Sequence, residues 1–117
     1  MSASTVAAIG ALVHAHPQLI PVLNTNLEDN FDVVLPHLVL SDIVRWLAES
    51  PDADSAVAVS IMQWLETEYI RGSEDVRELI IASGVEMIPD PGQPGAELRG
   101  LLGPTLRDKD PWRRWNE

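Results

Sequence analysis

The chain has no cysteine, which excludes disulfides, thiolate metal ligation and a cysteine nucleophile together. Lysine is almost missing as well: Lys109 is the only one, and eight basic residues face 18 acidic ones. Apolar runs are short. None reaches the roughly 18 residues a membrane-spanning helix needs. The opening stretch MSASTVAAIGALVHAHP has no Lys or Arg ahead of its apolar part, so no signal peptide is expected. Gly-rich phosphate loops, nucleophile elbows and His-Glu metal helices do not occur. With three histidines and no nucleophile context, candidate catalysts are few. The expectation is a protein that is not an enzyme and needs no cofactor.

What is present fits a single globular domain: 117 residues, 45% apolar and 22% charged, enough to bury roughly two thirds of the unfolded surface. The charge is unevenly placed. Residues 1–98 carry 15 acids against Arg45, Arg71 and Arg77, a net of −12, whereas the segment from Arg99 onward carries five bases and three acids, a net of +2. Such a body repels phosphate backbones and anionic membranes and attracts a basic protein partner. The absence of cysteine suits a reducing cytoplasm, which is the expected location.

Helical periodicity dominates, and strand-like alternation is not sustained. The first predicted helix covers about 4–15, with Ser4 as N-cap and Val6, Ile9, Leu12 and Val13 at helical spacing. A second lies in PQLIPVLNTNLEDN, where Pro21 demands a kink or a start near Ile20. The third, about 36–49, opens on Pro36 and aligns Leu40, Ile43, Val44 and Leu47, with Ser41 and Asp42 as an alternative cap for a second piece. The fourth starts at the cap Ser50 with Pro51 and stops at Gly72. The fifth starts at the cap Ser73, carries Val76, Leu79, Ile80 and Val85, and ends before PDPGQPG; a short sixth covers about 96–102. Links as short as Gly72-Ser73 imply antiparallel hairpins. The expected architecture is therefore all-α: five to six antiparallel helices in a compact stacked, HEAT-like array over residues 1–108, followed by a tail, 109–117.

The stretch LETEYIRGSEDVRELI (65–80) gathers five carboxylates around one corner. Glu74 and Asp75 have a local reason, since the first turn of a helix stabilises negative charge. Taken together, Glu66, Glu68, Glu74, Asp75 and Glu78 are the candidate contact edge for a basic partner, with Glu28, Asp29 and Asp32 as a second cluster. Glu86, among Val85, Met87 and Ile88, is expected to be partly buried. His14 and His16 are two apart and diverge on a helix, so no metal site is expected. Asp42 and Arg45 are placed for a local ion pair. Trp46 and Trp64 fall on apolar helix sides and are read as core. Trp112 and Trp115 flank Arg113 and Arg114, a group expected to dock back on the acidic body.

Three stretches, VLPHLVLSDIVRWLAE (34–49), EYIRGSEDVRELIIASGVEMI (68–88) and LRGLLGPTLRD (98–108), give the chain from Leu35 to Asp108 its resemblance to a small family. The family consists of all-helical bacterial proteins similar to immunity proteins of polymorphic toxin systems. The family pattern has an aromatic residue near Gly84, so glycine here implies a local gap. The resemblance implies a protein that binds and neutralises a cognate toxin, for which the acidic surface makes a basic toxin domain the expected partner. The alternative is a helical adaptor or regulatory subunit with no toxin partner, using an apolar groove or the Trp-bearing tail.

Overall fold

Helix α1 spans Ala3–Ala15, so Ser4, expected as its cap, lies within its first turn. This is seen in a computed structural model, which describes residues 3–49 and 56–112. Pro17 disfavours helical geometry at the residue before it, and His16 is accordingly non-helical, at φ −133° and ψ 79°. The chain turns there through 112°. A 3-10 turn, Pro17–Leu19, leads into α2, Ile20–Asp29. Pro21 sits in the first turn of α2, where no intrahelical partner is lost.

Helix α3, Pro36–Glu49, is unbroken. Ser41 starts no second piece, because its hydroxyl donates to the carbonyl of His37 one turn back. Helix α4 is described over Ala56–Arg71; its predicted start at Ser50 and Pro51 lies outside the described residues. Helix α5, Glu74–Ser83, ends earlier than the periodicity suggests, and Val85 belongs to a 3-10 turn, Val85–Met87. Ser73 holds the N-cap position in extended geometry, yet its hydroxyl makes no capping bond to α5 and points to Ser4 at 3.5 Å. A six-residue 3-10 segment, Ala96–Leu101, and the four-residue α6, Pro104–Arg107, complete the described elements, among which there is no strand.

Helices α3 and α5 pack most extensively, and α1, α2 and α4 surround them. Their inner stripes (Val39, Leu40, Ile43 and Val44 on α3; Val76, Leu79 and Ile80 on α5) are buried with Leu12, Ile61 and Leu65. Each such side chain contributes about 1.5–3 kcal/mol on leaving water. The Cα radius of gyration, 13.5 Å, is that of a fully collapsed chain of this length, roughly 13 Å. No single helix among the described residues is long and apolar enough to cross a membrane.

Two histidines bolt the helices together. The Nδ1–H of His16 donates to the Leu12 carbonyl at 3.0 Å, which leaves Nε2 to accept the Ser60 hydroxyl of α4 at 2.8 Å. His37 Nδ1 lies 2.6 Å from the hydroxyl of Ser83, joining α3 to the end of α5. Gly84 leaves no gap: a Cβ there would stand 2.4 Å from the Ile80 carbonyl oxygen and 3.5 Å from Leu40.

The segment after α5 folds back on the body. Arg99 pairs with Asp110 in a buried ion pair and donates to the carbonyls of Ile88 (3.3 Å) and Pro89 (2.8 Å). Asp110 also accepts the Trp112 amide at 2.9 Å, and the Trp112 indole N–H donates to Asp90 at 3.2 Å. Within the segment expected as a tail, Asp110 and Trp112 are thus tied to the body, while Lys109 and Pro111 are exposed. Arg113, Arg114 and Trp115 lie outside the described residues.

Candidate functional site

The five acids around the Arg71-Gly72-Ser73 corner divide into two that serve the fold and three that face outward. Glu66 turns inward. Its carboxylate accepts the amides of Thr105 at 3.0 Å and Leu106 at 2.9 Å, capping α6 from a neighbouring helix. Burial alone would push the Glu66 carboxyl up, but hydrogen bonds from Leu106 and Thr105 outweigh it and hold the group below its ordinary value. Glu66 is therefore withdrawn from the contact edge expected of it. The cap also explains Gly103, where a Cβ would lie 2.5 Å from the Glu66 carboxyl carbon.

Glu68 pairs with Arg71 at 2.7 Å within α4. Arg77 reaches back across the corner to donate to the carbonyls of Tyr69 and Ile70, both at 3.0 Å, closing the negative end of α4 and stacking over Tyr69. Glu74, Asp75 and Glu78 remain exposed on α5, with no ion-pair partner among the described residues.

Replacing Glu66 by glutamine is expected to lower stability by about 1–2 kcal/mol, because an amide oxygen caps less strongly than a carboxylate. The effect has a definite pH dependence. The folded group titrates below its unfolded value of about 4.3, so its contribution is complete above that pH and is lost as pH falls through the lower, folded value. Melting temperatures of the two proteins measured between about pH 2 and 7 should therefore converge only at the acid end.

Asp75 and Glu78 line an open groove together with the start of α3 (Leu35, Pro36, His37 and Leu38) and Thr5 of α1. Leu38 is 49% exposed there. Helix spacing explains the pairing, since residues three apart share a face, and α5 packs against α3. A second concavity on α5 shares Asp75 and Glu78 with this groove and adds Glu74, Arg77, Ile81 and Glu86. Glu86 is exposed, contrary to the partial burial expected of it.

The second acidic cluster lies at the end of α2. Glu28, Asp29 and Asp32 are exposed around Phe31, which is 93% exposed. Phe31 and Asp32 are both left-handed, at φ 56° and 62°, a conformation that costs a non-glycine residue about 1 kcal/mol or more. The turn is held by the Asp32 amide, which donates to the Leu27 carbonyl at 2.8 Å. Four residues separate Phe31 from Leu35, at most about 14 Å of chain, so this loop runs directly into the groove beside α5.

Trp46, expected in the core, is 39% exposed, whereas Trp64 packs against the core as a half-buried residue. Asp42 and Arg45 form the expected ion pair at 3.3 Å, and Asp42 also accepts the Asn26 amide at 2.8 Å. Among the described residues, no group of three His, Asp or Glu side chains is placed to hold a metal ion. Sequence reasoning passed over Arg99, Asp110 and Gly95. No local pattern signals them, because Arg99 meets Asp110 eleven positions away and Gly95 meets Ala48 on another helix.

Comparison with protein-family models, with curated proteins and with solved structures found no match.

Proposed function

We propose that this protein is a non-enzymatic binder that captures a basic protein partner in the groove between α3 and α5, in the manner of an immunity protein neutralising a cognate toxin domain in the cytoplasm. The reading is carried by one observation. Asp75 and Glu78, free of ion-pair partners among the described residues, face the apolar wall of Leu35, Pro36 and Leu38 across open space. Apolar walls supply area to bury, and unpaired carboxylates in a body of net charge −10 steer a cationic surface toward them. Removal of Glu66 and Glu68 from the expected edge leaves α5 as the part of the corner that can serve this role.

The first test is whether a gene for a toxin domain lies beside this one, and the second is co-expression of the two. The chain is expected to restore growth, and the double change Asp75→Lys, Glu78→Lys to weaken binding at least tenfold, with the loss largest at low salt. Unaltered affinity in the double variant would remove the groove from the mechanism. The exposed Phe31 favours a second reading, a helical adaptor gripping a partner through an aromatic anchor. Under that reading Phe31→Ala abolishes binding while the α5 charge reversal does not.

A further inference from the structure

A further groove lies between α2 and α3. One stripe of each helix lines it: Pro21, Val22, Thr25 and Asp29 from α2, and Asp42, Arg45, Trp46 and Glu49 from α3. These recur at three- and four-residue spacings, so each set occupies a single helix face. The Asn26–Asp42 hydrogen bond ties the two helices together beside it. The groove offers about 470 Å³, within the roughly 300–1,000 Å³ of small-ligand sites.

Its chemistry is specific. Trp46 presents part of its surface to solvent inside a concavity, although the periodicity of α3 assigned it to the core. Asp42 and Glu49 lie four residues before and three after Trp46, so both share its face, and Asp29 stands on the opposite helix. Arg45 takes up Asp42 alone, in a pair whose arginine side chain is 61% exposed. Three carboxylates against one guanidinium leave a net charge of −2, and neither Asp29 nor Glu49 has an ion-pair partner among the described residues.

A part-exposed indole beside two unpaired carboxylates, Glu49 and Asp29, is complementary to a cation that is flat, weakly hydrated and able to donate several hydrogen bonds. The geometry points to a pocket for an arginine side chain of a basic protein partner, its guanidinium lying over Trp46 and pairing with Glu49 and Asp29. Arginine fits better than lysine, because a planar guanidinium stacks on an aromatic face and donates in a fork, whereas an ammonium is a compact, strongly hydrated charge. The inference shares with the proposed function only the premise of a basic partner. Trp46 is eight residues along α3 from Leu38, about 12 Å along the axis, so the two grooves are separate places on the surface and fail separately.

The test uses the full chain and short capped peptides, with no toxin. Indole resonances are followed by NMR while an Ala-Arg-Arg-Ala peptide is added, alongside versions carrying lysine or the neutral isostere citrulline. The Trp46 indole signal is expected to move with the arginine peptide, several-fold less readily with lysine, and at least tenfold less readily with citrulline. Glu49→Gln should weaken arginine binding about tenfold, whereas Glu97→Gln, which removes the same charge from a surface outside this groove, should leave it unchanged. Equal response to arginine and citrulline, equal loss in the two glutamine variants, or a still Trp46 signal would each overturn the pocket. None of these outcomes bears on the α3–α5 groove, which is judged by its own charge reversal.

Discussion

Replacing Arg99 by alanine is expected to destabilise the protein by about 3–5 kcal/mol, the loss that follows when one member of a buried ion pair is deleted and the other remains. The side chains of Arg99 and Asp110 are 11% and 5% exposed. The guanidinium also satisfies the carbonyls of Ile88 and Pro89, so its removal leaves three acceptors short of a donor. Domains of this size are stable by only about 5–15 kcal/mol in total, and the C-terminal segment should detach first. Urea unfolding followed by circular dichroism measures the loss. The double variant Arg99→Met, Asp110→Asn should recover much of it, because no uncompensated charge is then buried. A change below about 1 kcal/mol in Arg99→Ala would mean that the pair does not hold the segment down.

A second large effect is expected at Gly95. Its φ of +91° is a conformation few side chains adopt, and a Cβ there would stand 2.6 Å from the Ala48 Cβ and 2.7 Å from the Ala48 carbonyl oxygen. The backbone of α3 cannot yield as a flexible side chain would. Strain of about 1–3 kcal/mol from the backbone conformation adds to overpacking of similar size, so Gly95→Ala should lower stability by about 2–6 kcal/mol. Gly92 provides the control, since its φ is +92° but nothing lies within 4 Å of its Cβ position. Gly92→Ala should show the backbone part alone, and the difference in unfolding free energy between the two variants measures the collision with Ala48. Equal losses would refute the close approach.

Much of the fold was legible because helices obey local rules. Pro36 opening α3, Gly72 following α4, and acids in the first turn of α5 all depend on residues within a few positions of one another. Local rules misjudged the places where a distant residue supplies the partner. Ser73 has the right position for a cap and the right backbone, but its hydroxyl makes no capping bond. Glu66, 39 residues from Thr105, makes the capping bonds that local reasoning sought from neighbours.

The candidate site shows the same division. Composition and order along the chain established a helical body with excess negative charge between residues 1 and 98, since helix periodicity and net charge are sums over sequence. Only the packing of helices decided which carboxylates are spent on the fold. It took Glu66 as a cap and left Asp75 and Glu78 beside Leu38, whereas Glu68 meets Arg71 three residues along its own helix. It also turned Trp46 outward beside Glu49. The physical reason is that hydrogen bonds and ion pairs act over a few ångströms in space, and which groups come that close is set by how the helices stack.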